Sequence, residues 1–116
     1  MEGVNQLILL GNIGKDPKLQ TTNSGKRVLR FRMATHETWT DRDGQKKERT
    51  DWHSIAYWKQ NNAEALSRFM RKGMPVCVVG AVRPRQWEDE SGGKHSSYEV
   101  EAEQVCLTER RPGDRS

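Results

Sequence analysis

Apolar and polar residues alternate along most of this chain, and a two-residue period is typical of half-buried β-strands. The clearest case is a segment in which Phe31 and Met33 point to one face and Arg30 and Arg32 to the other. Five segments have this period or a continuous apolar run: Val4–Gly14, Lys26–His36, Glu48–Trp58, Val76–Val82 with its polar continuation Arg83–Glu90, and Ser96–Leu107. The pattern therefore predicts five strands.

Polar breaks separate the predicted strands at Lys15-Asp16-Pro17, Asn23-Ser24-Gly25, Thr40–Lys47 and Ser91-Gly92-Gly93. One helix is predicted between the third and fourth strands. Asn61 is its expected N-cap, with Glu64 completing a capping box, and Gly73 ends it. Its apolar stripe, which we expect to face the core, consists of Leu66, Phe69 and Met70.

Five strands with one short helix after the third is the element order of the OB-fold, a small Greek-key barrel. We therefore predict an all-β class and a five-stranded OB-fold barrel, with a long hairpin joining the fourth and fifth strands. Residues 1–107 form the predicted domain, and residues 108–116 a short polar tail that we expect to be disordered. Pro84 removes a backbone donor, so its position should be an edge or a bulge.

Composition adds a small core and a basic middle. Hydrophobic residues make up 33% and charged residues 31% of the 116 residues. This predicts either a small core or burial against a partner or a second copy. Residues 26–75 carry twelve basic and six acidic residues, against a net charge of +4 for the whole chain. Such a segment attracts a polyanion or an acidic membrane face, but no basic amphipathic helix supports the membrane. Apolar runs reach four residues, and the N-terminus lacks a signal-peptide pattern, so a cytoplasmic location is expected.

Metal, cofactor and disulfide chemistry have little support in the sequence. Cys77 and Cys106 lie in apolar runs and are expected to be buried, reduced thiols, with a disulfide between them as the less favoured alternative. The three histidines are scattered and there is no CxxC pair, so neither a metal nor a cofactor is predicted.

Enzyme motifs are also missing. Asp41-Arg42-Asp43-Gly44 resembles the start of an EF-hand loop, but Lys46 and Trp52 occupy the positions of its glycine and closing glutamate. His36-Glu37 lacks the second histidine of a zinc protease. We therefore expect no enzyme, with a nuclease as the least favoured alternative.

The candidate chemistry is an interleaving of arginine and tryptophan. Arg83, Arg85 and Trp87 are spaced by two and line one strand face. Guanidinium groups neutralise phosphate while an indole stacks on an unpaired base, so this pattern favours single-stranded nucleic acid. The full predicted set is Arg30, Arg32, Arg83 and Arg85 for phosphates and Trp39, Trp52, Trp58 and Trp87 for bases. The alternatives are an ordinary solvated face for the arginines and a core position for Trp58.

The chain resembles the bacterial single-stranded DNA-binding protein family over about residues 3–107. The resemblance is carried by Val4–Pro17, Ala34–Trp39, Thr50–His53, Arg71–Gly73, Val76–Gly80 and Arg83–Gly92. It implies stacking on the four tryptophans, with Trp58 standing where the family usually has Phe. It also implies sequence-independent binding and protection of single strands in replication, recombination or repair, and a homotetramer with contacts at the first strand and His53.

The resemblance leaves three matters open. The family's long linker and acidic, Phe-ending tip have no counterpart in Glu109–Ser116. We therefore expect a short form, either cut or natural, for example from a phage or mobile element, in which recruitment of replication and repair enzymes is doubtful. Another OB-fold accessory protein, of replication restart or RNA binding, is the alternative function, because tryptophans stack on RNA bases as well.

Overall fold

The computed structural model describes residues 1–108, which form six strands and one helix. In chain order these elements are β1 Leu7–Ile13, β2 Lys18–Thr21, β3 Arg27–Thr40, β4 Lys46–Tyr57, α1 Gln60–Ser67, β5 Pro75–Glu88 and β6 Lys94–Leu107. The predicted disordered tail lies outside the described residues, except for Thr108, whose N–H donates to the Pro75 carbonyl at 3.3 Å.

The strands pair in the order β1-β5-β6-β4-β3-β2. A further β1–β3 pairing, at Asn12↔Ala34 and Ile13↔Met33, closes β1, β5, β6, β4 and β3 into a barrel. The pairings are antiparallel apart from the parallel β4–β6 contact at 55–57. This five-stranded barrel with one short helix confirms the predicted OB-fold. The four-residue β2, which the alternation pattern does not predict, pairs with the first residues of β3 outside the ring.

The barrel core follows the predicted alternation. Phe31 and Met33 are buried, whereas Arg32 on the opposite face is exposed. The largest fully buried side chains lie on β1, β3, β4 and β5 and just after α1: Ile13, Val28, Leu29, Met33, Ile55, Met70, Val76 and Val78. The core is thus small and built almost entirely of aliphatic residues.

The helix differs from the prediction at both ends. Lys59, not Asn61, is the N-cap residue, and no side chain caps it. Glu64, expected in a capping box, instead pairs with Arg27 of β3 at 2.5 Å. Gln60 holds the same strand, since its side chain accepts from the Arg27 N–H at 2.7 Å and donates to the Arg27 carbonyl at 2.8 Å. Contacts to β3 therefore replace the predicted local cap.

The expected core role of Phe69 is wrong. The helix ends at Ser67, so the chain turns before Phe69, the second residue of the predicted stripe. Met70 is fully buried, whereas Phe69 is 65% exposed. Helical periodicity could not place Phe69 because the segment is no longer helical there.

Two hairpins project as arms: the first is longer than predicted, and the second is the predicted long hairpin between the last two strands. β3 and β4 stay paired out to Thr40↔Lys46, so the predicted loop Thr40–Lys47 shrinks to a turn. The Asp41 carboxylate forms this turn by accepting the N–H groups of Asp43 and Gln45, both at 2.9 Å. The second arm consists of the outer parts of β5 and β6, which stay paired out to Glu88↔Lys94.

The outer part of β5 has a strand on one side only. β1 pairs with β5 no further than Gly80, while β6 continues along it. Pro84 therefore lies at an edge, as its missing N–H requires. Asn5 takes the place of a strand just beyond β1, because its side chain accepts the Val82 N–H at 3.0 Å and donates to the Val82 carbonyl at 2.7 Å.

The expected burial of both cysteines is wrong. Cys77 and Cys106 are directly opposed partners across β5 and β6, and both are free thiols. Val76 and Val105 point into the core, so alternation turns the adjacent cysteines outward. Cys77 is half-buried and Cys106 is exposed.

Candidate nucleic-acid interface

The four tryptophans differ in exposure because they occupy different parts of the barrel. Trp39 and Trp87 lie on the two arms and Trp52 on β4, and their exposed fractions are 46%, 43% and 52%. Trp58, which follows β4 directly, is half-buried. Trp58 is thus neither fully buried in the core nor fully exposed to solvent.

Three of the tryptophans lie beneath guanidinium groups. The Arg30 guanidinium carbon lies 5.9 Å from the Trp58 ring centroid. The corresponding distances are 5.5 Å from Arg32 to Trp52 and 5.6 Å for Arg85, two residues before its ring on β5. A cation within about 6 Å of an indole face is attracted to it. Each pair offers a positive charge and a π surface side by side.

Carboxylates of β6 balance most of the predicted arginines. Glu99 pairs with Arg30 and also lies 4.0 Å from Arg85. Glu101 lies 3.4 Å from Arg83. Within residues 1–108, Arg32 is the one predicted phosphate contact without a carboxylate at salt-bridge distance. The four arginines are thus not equivalent, a difference that the sequence pattern does not reveal.

A cationic cleft brings together three of these arginines and two lysines that were not predicted. It runs between β2, β3 and the arm of β5, and is lined by Lys15, Lys18, Gln20, Arg30, Phe31, Arg32, Ser54, Ile55, Arg85 and Glu99. Lys15 and Lys18 flank the predicted break at Pro17. The unrecognised strand β2 carries Lys18 opposite Arg30, which is why the alternation pattern does not reveal this part of the cleft.

Trp52 is seated on the backbone of Gly14. A Cβ atom at Gly14 would lie 2.2 Å from the indole Cζ3, so only hydrogen fits there. The Gly14 N–H also donates to the Arg32 carbonyl at 2.7 Å, which fixes this residue beside the arginine that covers Trp52. The glycine after β1 thus sets the position of an indole on β4.

Trp87 is held by the tip of its own arm. His95, its direct partner on β6, stacks on the indole with centroids 5.4 Å apart and planes inclined by 21°. The Asp89 carboxylate accepts from His95 Nε2 at 2.8 Å. This hydrogen bond, followed by that from the Gly93 N–H, lowers the pKa of Asp89.

Trp39 and His53 lie apart from the cleft residues. Trp39 faces Lys47 across the first arm. His53 is half-buried on β4, and its Nε2 lies 2.9 Å from the Thr35 hydroxyl. The single chain contains nothing that tests a subunit contact at His53, so that role stays a prediction.

The described residues hold no cluster of three or more metal-ligating side chains, and no helix among them is long and apolar enough to cross a membrane.

The model of the Single-strand binding protein family matches residues 4–108. The chain belongs to this family. Its match to the family covers the whole barrel, both arms and the cleft.

Relatives and solved structures agree with this membership. Single-stranded DNA-binding proteins of Rickettsia felis and Rickettsia typhi are each 37% identical over 98 residues, which are 84% of this chain and 64% of theirs. The chain thus spans under two thirds of their length. A Plasmodium falciparum SSB in complex with ssDNA has a TM-score of 0.84 at 28% identity, covering 94% of this chain and 98% of that one. A Thermus aquaticus single-stranded DNA binding protein has a TM-score of 0.80 at 31% identity, covering 94% and 52%.

Proposed function

We propose that this protein binds single-stranded DNA without sequence preference and protects it during replication, recombination or repair. Bases stack on Trp39, Trp52, Trp58 and Trp87, while Arg30, Arg32, Arg83 and Arg85 neutralise phosphates. The observation that carries the proposal is the set of three arginine–tryptophan pairs whose cations border the cleft. Family membership and the likeness to an SSB solved with ssDNA support it.

The arrangement suits single strands better than a duplex. Exposed indoles stack on any base whose face is free, and in a duplex those faces are already stacked on neighbouring pairs. No side chain needs to read a base edge, so binding is expected to be independent of sequence. Arg32, which has no carboxylate partner in the described part of the chain, is the strongest candidate for a phosphate contact.

Intrinsic tryptophan fluorescence tests this function directly. Adding oligo(dT) should quench the emission strongly at low salt, because Trp39, Trp52 and Trp87 are exposed and the half-buried Trp58 lies beside the Arg30 guanidinium. The binding constant should fall with rising salt by about 0.7 log units per log unit of salt for each phosphate contact. No quenching at low salt would refute single-strand binding, and equal quenching by duplex DNA would indicate a general affinity for polyanions.

The RNA alternative is separated by the same assay with oligo(rU) of equal length. Because this chain's relatives are single-stranded DNA-binding proteins and one similar structure holds ssDNA, we expect oligo(rU) to bind less tightly than oligo(dT). Tighter binding of oligo(rU) would favour an RNA-binding accessory role instead. Membership of a family of binding proteins also supports the expectation that the chain is not an enzyme. A labelled single strand should therefore stay intact in magnesium.

We also propose that the protein forms a homotetramer. Ile8 and Leu10 on β1 are each 66% exposed and point outward beside the cysteine face of β5. Within residues 1–108, the other edge of β1 is paired only at Asn12 and Ile13, so residues 7–11 present free backbone groups. Exposed apolar side chains on an open strand edge favour pairing with another copy. Sedimentation showing only a species near 13.4 kDa at micromolar concentration would refute this.

Contacts with replication and repair enzymes are not part of the proposal. A cytoplasmic location, where unwound strands arise in bacteria, follows from the proposed role. His53 is proposed as a subunit contact, and His53→Ala should lower the stability of the oligomer more than the affinity of each site for DNA.

A further inference from the structure

The tip of the β5–β6 arm contains a series of contacts that ends on Trp87. Asp89 Oδ1 accepts the N–H groups of Ser91 at 3.1 Å and Gly93 at 2.7 Å, which ties the carboxylate to the turn. Asp89 Oδ2 accepts a hydrogen bond from His95 Nε2 at 2.8 Å. The His95 imidazole then stacks on the Trp87 indole. Because each contact restrains the next, the turn sets the orientation of the indole.

We propose that His95 is a positioning residue for Trp87, and that protonation of His95 strengthens the binding of single-stranded DNA to this arm. The inference rests on the proposed function, since it requires a base to stack on Trp87. Arg85 also lies over the indole, but on a long side chain that a base can displace. The imidazole is tied to Asp89, so it stays in place while the base enters.

Protonation leaves these contacts intact and adds to them. A carboxylate only accepts hydrogen bonds, so Nε2 of the neutral imidazole already carries the proton shared with Asp89. The second proton goes to Nδ1 and gives the ring a positive charge. The charged ring then forms an ion pair with Asp89 and a cation–π contact with Trp87. It also adds a positive charge to the arm that the proposed function brings against the DNA backbone.

The groups around His95 permit this change of charge. Histidine ordinarily changes its charge between about pH 5 and 8. The charged side chains of the surrounding elements are Arg85 and Glu88 on β5, Asp89 and Glu90 in the turn, and Lys94 on β6. Carboxylates outnumber cations in this set, so an added positive charge meets no net repulsion before DNA arrives.

The test compares the affinity for dye-labelled oligo(dT) at about pH 6 and about pH 8 at fixed ionic strength. Thymine and the phosphodiester do not titrate in this range, so any change belongs to the protein. We expect the wild type to bind about two- to fivefold more tightly at pH 6, the size of effect that one exposed ion pair with a phosphate represents. His95→Phe should keep the pH 8 affinity, because it keeps a stacking ring, and should lose the pH response. His95→Ala should bind more weakly at both pH values.

His36→Gln is the matched control, since His36 is an exposed histidine on the other arm, where its Nδ1 lies 3.0 Å from the Thr50 hydroxyl. It should keep the wild-type pH response. A full response in His95→Phe would overturn the inference. So would an unchanged response in Asp89→Asn, because the charge would then act on phosphate without the Asp89 anchor.

Failure of the proposed function has a different signature. If Trp87→Ala leaves the oligo(dT) affinity unchanged at both pH values, stacking on Trp87 itself is wrong. If Trp87→Ala weakens binding but His95→Phe behaves as the wild type, only the role of His95 is wrong. The two outcomes are therefore separated by one set of variants.

Discussion

Gly14→Ala should weaken single-strand binding by displacing Trp52 while leaving the barrel intact. The added Cβ would lie 2.2 Å from Cζ3 of the indole and 3.1 Å from both Cε3 and Cη2. Ordinary carbon–carbon contacts are about 3.5–4.0 Å, so the ring must move by at least about 1.3 Å. Gly14 has no positive φ, so its backbone accepts alanine without strain. The indole, being half-exposed, moves into solvent more readily than the paired backbone of β1.

Gly14→Ala should cost no more binding free energy than the loss of stacking for one base. Alanine substitution of a stacking aromatic costs about 1–3 kcal/mol, or roughly five- to 150-fold in the dissociation constant. We expect Gly14→Ala to lose a large part of the amount lost by Trp52→Ala, measured by oligo(dT) titration. The free energy of unfolding should change by less than about 1 kcal/mol, because no core side chain is touched.

A double-mutant cycle makes the reasoning refutable. If the glycine acts through the indole, Gly14→Ala should add almost nothing in the Trp52→Ala background. Gly3→Ala is the matched control, since a Cβ at Gly3 meets no atom within 4 Å. Fully additive losses, or wild-type affinity in Gly14→Ala, would show that the contact does not position Trp52 for binding.

Phe69→Ser should change the free energy of unfolding by less than about 0.5 kcal/mol, whereas Met70→Ala should lower it by about 2–5 kcal/mol, in urea denaturation. Because the pKa of Asp89 is lowered, the stability that its carboxylate gives to the arm is present above about pH 4 and is lost as pH falls through the folded-state pKa. NMR shifts of the turn amides should follow this loss in the wild type and not in Asp89→Asn. Cys106, being exposed, should react with a thiol reagent faster than half-buried Cys77, and equal rates in the single-cysteine variants would contradict the assigned exposures.

The barrel could be predicted because its strands obey local rules. Alternation at Phe31 and Met33 and the continuous run from Val76 depend only on which face is buried. The number and order of the predicted strands, with one helix after the third, then identified the OB-fold. The short strand β2 was missed because its burial pattern contains a single half-buried position, Leu19, and therefore no recognisable period.

The errors at the helix and the cysteines have tertiary causes. Glu64 is used by Arg27, which is 37 residues away in sequence, and not by the helix terminus. The outward direction of Cys106 depends on the irregularity opposite Val79 and Gly80, where β6 has one extra residue and its buried face changes between Ala102 and Val105. The expectations failed where a partner from another element decided the outcome.

The residue types of the candidate interface could be predicted from the sequence, but the carboxylates that pair with its arginines could not. Spacing by two is enough to place Arg83, Arg85 and Trp87 on one face, because side chains alternate along any strand. The pairing of Arg30 with Glu99 joins residues 69 positions apart and could not be inferred from either segment. Lys15 could not be assigned to the cleft because it lies within the polar break Lys15-Asp16-Pro17, where no strand period fixes the direction of its side chain.

Glu99 and Glu101 act as built-in counter-ions for three of the four arginines predicted to contact phosphates. A phosphate that approaches Arg30, Arg83 or Arg85 replaces a carboxylate already present, and the displaced carboxylate then recruits a cation from solution. The ions gathered in this way offset part of those released from the DNA. The salt dependence of binding should consequently report fewer phosphate contacts than the four predicted arginines, with Arg32 counted in full. When the strand dissociates, the same carboxylates pair with the arginines again, so release leaves none of these three guanidinium groups without a counter-ion.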